Sequence, residues 1–168
     1  MTITELTPEQ IPECLAIYNY YIKNTCYTLE EQPRELSAFT KQTHRIQDSY
    51  PFLTARDEDG VVLGYVYLDC FNERSAYRCS ADLTIYVRQD QIHTRIGSAL
   101  YAEIEQKARL SGIQNIISLI TSSNEGSVHF HEKQGFTQVG RLKDVAFKFG
   151  HYVDVSFYQK QLTSETAV

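Results

Sequence analysis

The sequence contains no C-x-x-C pair, no G-x-G-x-x-G spacing, no long apolar run and no cluster of basic residues. Each absence removes a class of function. Without paired cysteines, a zinc or dithiol redox site lacks its usual ligands. Without the glycine fingerprint, the chain does not read as a dinucleotide-binding fold. Apolar runs this short do not span a bilayer. Lys and Arg total 16 against 21 Asp and Glu, leaving a net charge of −5, and the basic residues are scattered. A groove that tracks a nucleic-acid backbone is therefore not expected, and a small or amine-bearing ligand fits better. The opening M-T-I-T-E-L-T-P-E-Q lacks the basic start and apolar stretch of an export signal. Cys14, Cys26, Cys70 and Cys79 are accordingly expected to be free thiols in a cytoplasmic protein.

What is present reads as one mixed α+β domain over residues 1–168. A strand over residues 2–6 leads to T-P-E-Q, in which Thr7, Pro8 and Gln10 form a capping box ahead of a helix. Ile11, Cys14, Leu15, Tyr18, Tyr21 and Ile22 recur at helical spacing on one face of it. After a loop over residues 24–33, Leu36, Phe39 and Ile46 mark a second helix that ends before Tyr50-Pro51. Residues 52–56, the turn D-E-D-G and V-V-L-G-Y-V-Y-L-D give a hairpin signal. A further extended segment covers residues 77–87. From Gly97 the period changes to that of a helix, with Leu100, Ile104 and Ala108 on one face and Ser111-Gly112 as its stop. N-I-I-S-L-I-T then reads as a buried strand parallel to the one before the helix. A short helix over residues 124–135 and two strands, 136–142 and 152–162, complete the chain. Antiparallel strands come first and one βαβ crossover later.

The glycine-bearing turn I-H-T-R-I-G-S-A-L-Y, between strand and helix, suggests an anion cradle made of main-chain N–H groups. With I-Y-V before it, N-x-x-S-V-x-F-H-E-x-x-G-F and K-F-G-H-Y-V-D-V-x-F after it, and I-Y-N-Y-Y, Y-P-F-L-T-A and R-S-A-Y upstream, the chain resembles the GNAT acetyltransferases. It is most similar to their phosphinothricin and methionine-sulfoximine branch, over nearly its whole length. That resemblance implies the GNAT fold and a mostly antiparallel central sheet with helices on both faces. It also implies an acetyl-CoA-dependent N-acetyltransferase acting on a small amino acid or analogue, without a metal. Branch members usually pair as homodimers.

The resemblance also implies site residues. Main-chain contacts to the cofactor fall on Ile85, Tyr86 and Val87, with an oxyanion donor in the Val87 region, and on His93, Thr94, Arg95, Ile96, Gly97, Ser98 and Ala99 of the turn. The family's turn carries Gln or Arg, two residues, Gly, one residue, then Gly or Ala, and these signature positions fall here on Ile92, Arg95 and Gly97. Losing a glycine would cost roughly 1–2 kcal/mol if position 95 required positive φ, yet would leave the main-chain donors in place. Asn124 and Ser127 would hold the pantetheine arm, or serve only to cap their helix. Asp82 matches the family's catalytic carboxylate and His131 its proton-transfer position, either protonating sulfur or helping to deprotonate the amine. Each also has a plainer reading, a strand-end Asp and a packed His. Arg74 matches the guanidinium that receives an acceptor carboxylate or phosphinate, while Tyr27, Phe71, Tyr77, Lys148 and Tyr152 line the acceptor pocket. H-F-H-E has the look of a metal pair, but on a helix that spacing turns the two imidazoles apart. The competing expectations are a degenerate domain of this family that binds without catalysis, and an acetyltransferase for protein N-termini or polyamines.

Overall fold

In a computed structural model, which describes residues 1–92 and 94–162, seven strands form one sheet flanked by four helices. The strands are β1 (Thr2–Glu5), β2 (Phe52–Arg56), β3 (Val62–Cys70), β4 (Ser80–Val87), β5 (Asn115–Thr121), β6 (Thr137–Lys148) and β7 (His151–Gln161). The helices are α1 (Ile11–Asn24), α2 (Leu36–Gln47), α3 (Ile96–Leu110) and α4 (Glu125–Lys133). Sheet order is β1-β2-β3-β4-β5-β7-β6, antiparallel throughout except for β4 with β5. This is the mixed α+β arrangement expected, with β4-α3-β5 as its one crossover.

The periodicities become two cores, one on each face of the sheet. Ile11, Cys14, Leu15 and Tyr21 of α1 and Phe39 and Ile46 of α2 pack over Phe52, Val62 and Tyr65. On the opposite face Leu100, Tyr101, Ile104 and Ala108 of α3 pack over Val66, Leu68, Ala81 and Leu83, joined by Val128 and Phe130 of α4. Leu100 and Ile104 are fully buried, a contribution of about 2–3 kcal/mol each. Before α1, Gln10 accepts the Thr7 amide at 3.1 Å and the Thr54 hydroxyl at 2.8 Å, so the expected capping residue also ties the helix to β2.

Several boundaries differ from expectation. β4 begins at Ser80 rather than 77, because Ser75–Tyr77 forms a turn of 3-10 helix. α3 begins one residue early, at Ile96. β6 continues past Leu142 to Lys148 through an irregularity between Leu142 and Ala146, where Asp144 takes φ +51°. Phe149 and Gly150, at φ +51° and +81°, then close the hairpin to β7, which starts at His151 rather than 152. Two successive positive φ values match the right-handed twist of the strands they join, and glycine at the second removes half the strain. All four cysteines are free thiols.

Candidate active site

The two strands of the crossover separate almost as soon as they meet. β4 and β5 pair only at Ser80 with Asn115, Ala81 with Ile116 and Asp82 with Ile117. Beyond that point β4 stays zipped to β3 as far as Val87 opposite Gly64, and β5 to β7 as far as Thr121 opposite Val155. The sheet opens into a V with Asp82 at its apex. The Arg88 amide donates to the Leu63 carbonyl on the β3 side at 2.8 Å, and the Cys79 carbonyl accepts from Asn115 on the β5 side at 3.1 Å. Peptide groups alternate along an unbroken register, so beyond the last pair those of Ile85 and Val87 face the opening. Among the described residues, no strand meets them there. An extended ligand that carries its own amides can fill such an edge.

This alternation corrects one expectation. The main chain of Tyr86 faces β3, paired with Tyr65, and is not available to a ligand in the opening. Its side chain instead lines a cavity of about 380 Å³ at the mouth of the V, together with Tyr27, Thr28, Leu119, Thr121 and Phe157.

Asp82 shares a side-chain face with Tyr86, toward α1 and α2, since Ala81 and Leu83 belong to the α3 core. One oxygen of its carboxyl is buried without a hydrogen-bond partner among the described residues. Burial, and secondarily the charge of Asp69, pushes its pKa up to about 7. Asp82 is thus poised to hold or release a proton near neutrality.

His131 lies on the other face, wedged edge-on between Phe130 and Phe136, and is 3% exposed. Its Nδ1 lies 2.8 Å from the Ser127 carbonyl, which can only accept, so Nδ1 carries the hydrogen and Nε2 the lone pair. Nε2 is buried and unpaired among the described residues. Desolvation lowers the pKa of the ring, keeping it neutral. The structure therefore does not bring Asp82 and His131 together on one face. His129 is exposed where His131 is buried, and no group of three metal-ligating side chains occurs among the described residues.

The turn after β4 resolves the question raised by Arg95. It caps α3 at φ −83° and ψ 3°, which any residue adopts, so no strain attends the missing glycine. The amides of Gly97 and Ser98 lie in the first turn, where no preceding carbonyl of the described residues reaches them, and the helix dipole adds positive potential. The Ala99 amide is already spent on the Arg95 carbonyl at 2.9 Å, and the Ile96 side chain is core. Thr94 is exposed, its hydroxyl donating to the Gln91 carbonyl at 2.6 Å. His93 lies outside the described residues. Gly97 has a packing role: a Cβ there would sit 3.3 Å from Phe130 and 3.7 Å from Val87, so its absence lets α4 rest on the start of α3. The Gln134 amide reaches the Ser98 hydroxyl at 3.3 Å along the same contact. Asn124 caps α4 by accepting the Ser127 amide at 3.1 Å, and the Ser127 hydroxyl lies 3.3 Å from His131 Nδ1. A diphosphate-bearing ligand with an amide-rich arm fits this constellation: free amides at α3, then an unpaired strand edge leading from Val87 back to Asp82.

The expected acceptor residues fall into two groups. Phe71, Arg74 and Tyr77 occupy the loop between β3 and β4, at the Asp82 end, where Phe71 and Tyr77 meet edge to face at 5.6 Å and Arg74 is exposed. Tyr27 and Tyr152 lie toward the other end, Tyr27 on the cavity and Tyr152 against Phe147 on the hairpin. Lys148 departs from expectation. Its side chain is 1% exposed and its ammonium donates to the Thr28 carbonyl at 2.8 Å, pinning the loop after α1 to β6 rather than lining the cavity. Burial lowers its pKa. Sequence reasoning also missed Thr121 and Asp69, because only the opening of the sheet and the strand register give them a role.

The family model for an acetyltransferase (GNAT) domain matches residues 3–157. Phosphinothricin N-acetyltransferase of Streptomyces viridochromogenes is 31% identical over 86% of this chain and 78% of its own. L-methionine sulfoximine/L-methionine sulfone acetyltransferase of Pseudomonas aeruginosa is 32% identical over 90% of this chain and 89% of its own. Among solved structures, a phosphinothricin acetyltransferase from Sinorhizobium meliloti in complex with AcCoA superposes with a TM-score of 0.93, at 29% identity, over 99% of this chain and 91% of that one. A strand edge opened beside a half-buried carboxylate, a helix N-terminus at the end of that edge and a family match over residues 3–157 agree: the chain belongs to the GNAT acetyltransferases.

Proposed function

We propose that the protein transfers the acetyl group of acetyl-CoA to the amino group of a small amino acid or amino-acid analogue, of the kind its phosphinothricin and methionine sulfoximine relatives are named for. The observation that carries this reading is the V between β4 and β5 with Asp82 at its apex. Acetyl-CoA supplies an activated acyl carbon and a thiolate leaving group of pKa about 8.5. The amides of Gly97 and Ser98 hold its diphosphate, and Arg95 adds a cation beside them. Val87 and then Ile85 pair with the arm as it runs back toward the apex. Ile85, closer to Asp82 than Val87 is, presents the N–H that meets negative charge developing on the carbonyl oxygen. Asp82 takes the proton of the acceptor ammonium from the α1 and α2 face, which frees the amine to attack. As the C–N bond forms and the C–S bond breaks, the thiolate departs and the second N–H proton of the former ammonium must also leave; neutral His131, with a lone pair on Nε2, serves as its acceptor rather than as an acid. Arg74 receives the acceptor's carboxylate at the Asp82 end.

Thiol release from acetyl-CoA with a panel of amino acids, including methionine sulfoximine and phosphinothricin, tests the reading. Release is expected with at least one of them, and Asp82→Asn should reduce it by about a hundredfold or more. Silence across the panel beside tight CoA binding would refute it.

The protein pairs as a homodimer through the β6–β7 hairpin. In support, β6 is an edge strand, and Val139, Phe147, Phe149 and Tyr152 are 55–66% exposed along the hairpin. Free thiols favour a cytoplasmic setting, and no described helix is long and apolar enough to cross a membrane.

A further inference from the structure

Asp82 does not stand alone on its face of the sheet. The β3–β4 register puts Asp69 directly opposite it, a placement that separates Cβ atoms by about 5 Å. Arg45 of α2 closes on Asp69 with both arms of its fork, 3.0 Å to Oδ1 and 2.6 Å to Oδ2, and the Cys70 amide adds a third donor at 2.7 Å. None of these donors serves Asp82, whose Oδ1 has no partner among the described residues. Two carboxylates thus face one another across a strand pair while a single cation attends only one of them.

We propose that Asp69 and Arg45 are positioning residues that set the basicity of Asp82. Asp69 places a second negative charge across the strand pair, and Arg45 fixes that charge and partly cancels its field. The inference rests on the reading of Asp82 as the base. Asp69 is the second cause, after burial, of the raised affinity of Asp82 for a proton. The other titratable neighbours among the described residues are Cys70 and Tyr67 of β3 and Tyr50 ahead of β2; burial pushes both tyrosines up, so they are uncharged near neutrality. From β5 the neighbour is apolar Ile117. Among the described residues the charge that acts on Asp82 is that of Asp69, and Arg45, of opposite sign, is bound to Asp69. Removing the charge of Asp69 lets Asp82 ionise more easily. Removing Arg45 leaves the charge of Asp69 uncompensated and makes Asp82 hold its proton more tightly.

The test is the pH profile of kcat/KM for wild type, Asp69→Asn and Arg45→Gln, together with a 13C carboxyl titration of Asp82 followed by NMR. The acidic inflection is expected to fall by about one pH unit in Asp69→Asn and to rise by about half a unit in Arg45→Gln, with Arg45→Lys restoring it. A purely structural role would shift neither, or both the same way, and either result overturns the proposal. Arg45 has a side chain 58% exposed, so its variant remains decisive if Asp69→Asn fails to fold. Asp82→Asn separates the two levels of argument. If that variant keeps the wild-type inflection, the base reading fails. If it loses the inflection while the other two variants leave theirs unmoved, only the present inference falls.

Discussion

The hydroxyl of Tyr21 donates to the carbonyl of Val87 at 2.6 Å, joining the last turn of α1 to the end of β4 on the open side of the sheet. The Val87 peptide faces the opening, so α1 holds one of the few groups that fix where the unpaired edge lies. Burial, ahead of neighbouring Tyr20 and Tyr27, pushes the Tyr21 pKa up to about 12, and the donor is present at every working pH. Tyr21→Phe keeps the ring packing against Tyr86 and removes the bond. The expected loss is about 1 kcal/mol of stability, and a rise in the KM for acetyl-CoA of about fivefold with a smaller change in kcat. Steady-state kinetics with acetyl-CoA as the varied substrate, beside a thermal melt, check both.

Gly97 and Arg95 exchange the roles their spacing suggests. Arg95→Gly should give no stability, because φ −83° is already relaxed, and should cost about 0.5–1 kcal/mol through the freer unfolded chain. Arg95→Glu should weaken CoA binding about tenfold or more, since it puts an anion at the diphosphate cradle. Gly97→Ala pushes a methyl against Phe130 at 3.3 Å and so disturbs the helix that carries His131. A loss of about 1–2 kcal/mol is expected there, with reduced kcat. Calorimetry with CoA and chemical denaturation separate binding from folding in all three variants.

Much of the fold was legible because its signals are local. The stripe Leu100, Ile104, Ala108, the D-E-D-G turn and the apolar N-I-I-S-L-I-T each fix an element within a few residues, and their order implies one crossover. The end of β6 was not legible, since the irregularity at Asp144 interrupts the alternation that marks a strand. Nor was the V: two strands separate because pairing stops, and no residue type announces an absent partner. The same limit hid Asp69, whose place opposite Asp82 follows from register alone. The resemblance put Lys148 in the acceptor pocket, whereas its ammonium is spent on the carbonyl of Thr28, 120 residues away in sequence, a pairing no local pattern reveals. Asp82 and His131 were legible as candidates, but their opposite faces emerge only once the sheet is in place.

Asp82 gives stability a pH dependence whose sign follows from its raised pKa. In the unfolded chain its carboxyl ionises from about pH 4; in the folded protein it does so only at about 7. Between those values the unfolded state releases a proton that the folded state keeps, so the contribution of this group to stability falls as pH rises and is constant above about 7. Asp82→Asn removes the penalty. It should stabilise the protein at about pH 8 by about 1–2 kcal/mol after allowance for solvent screening, and the gain should vanish near pH 4. Urea unfolding of both proteins across this range measures the difference directly. An advantage for the variant that grows toward acid would contradict the assignment.

The hairpin of β6 and β7 carries its apolar side chains where water reaches them. Phe147 and Tyr152 pack edge to face at 5.1 Å, yet remain 55% and 66% exposed, and β6 has no strand on its outer side among the described residues. Burying such a pair against its copy in a second chain would remove two aromatic surfaces per protomer from water, each worth about 1–2 kcal/mol at that exposure. Wild type should therefore sediment at about twice the protomer mass of 19.3 kDa, and Phe147→Glu with Tyr152→Glu should sediment as the protomer. The substitutions sit on exposed positions and leave both cores intact, so circular dichroism should be unchanged. Analytical ultracentrifugation over a concentration series distinguishes the cases, because a dimer held by this face dissociates on dilution with the variant far weaker than wild type. If both proteins sediment as dimers of equal stability, pairing uses another face and the hairpin's apolar surface has a different partner.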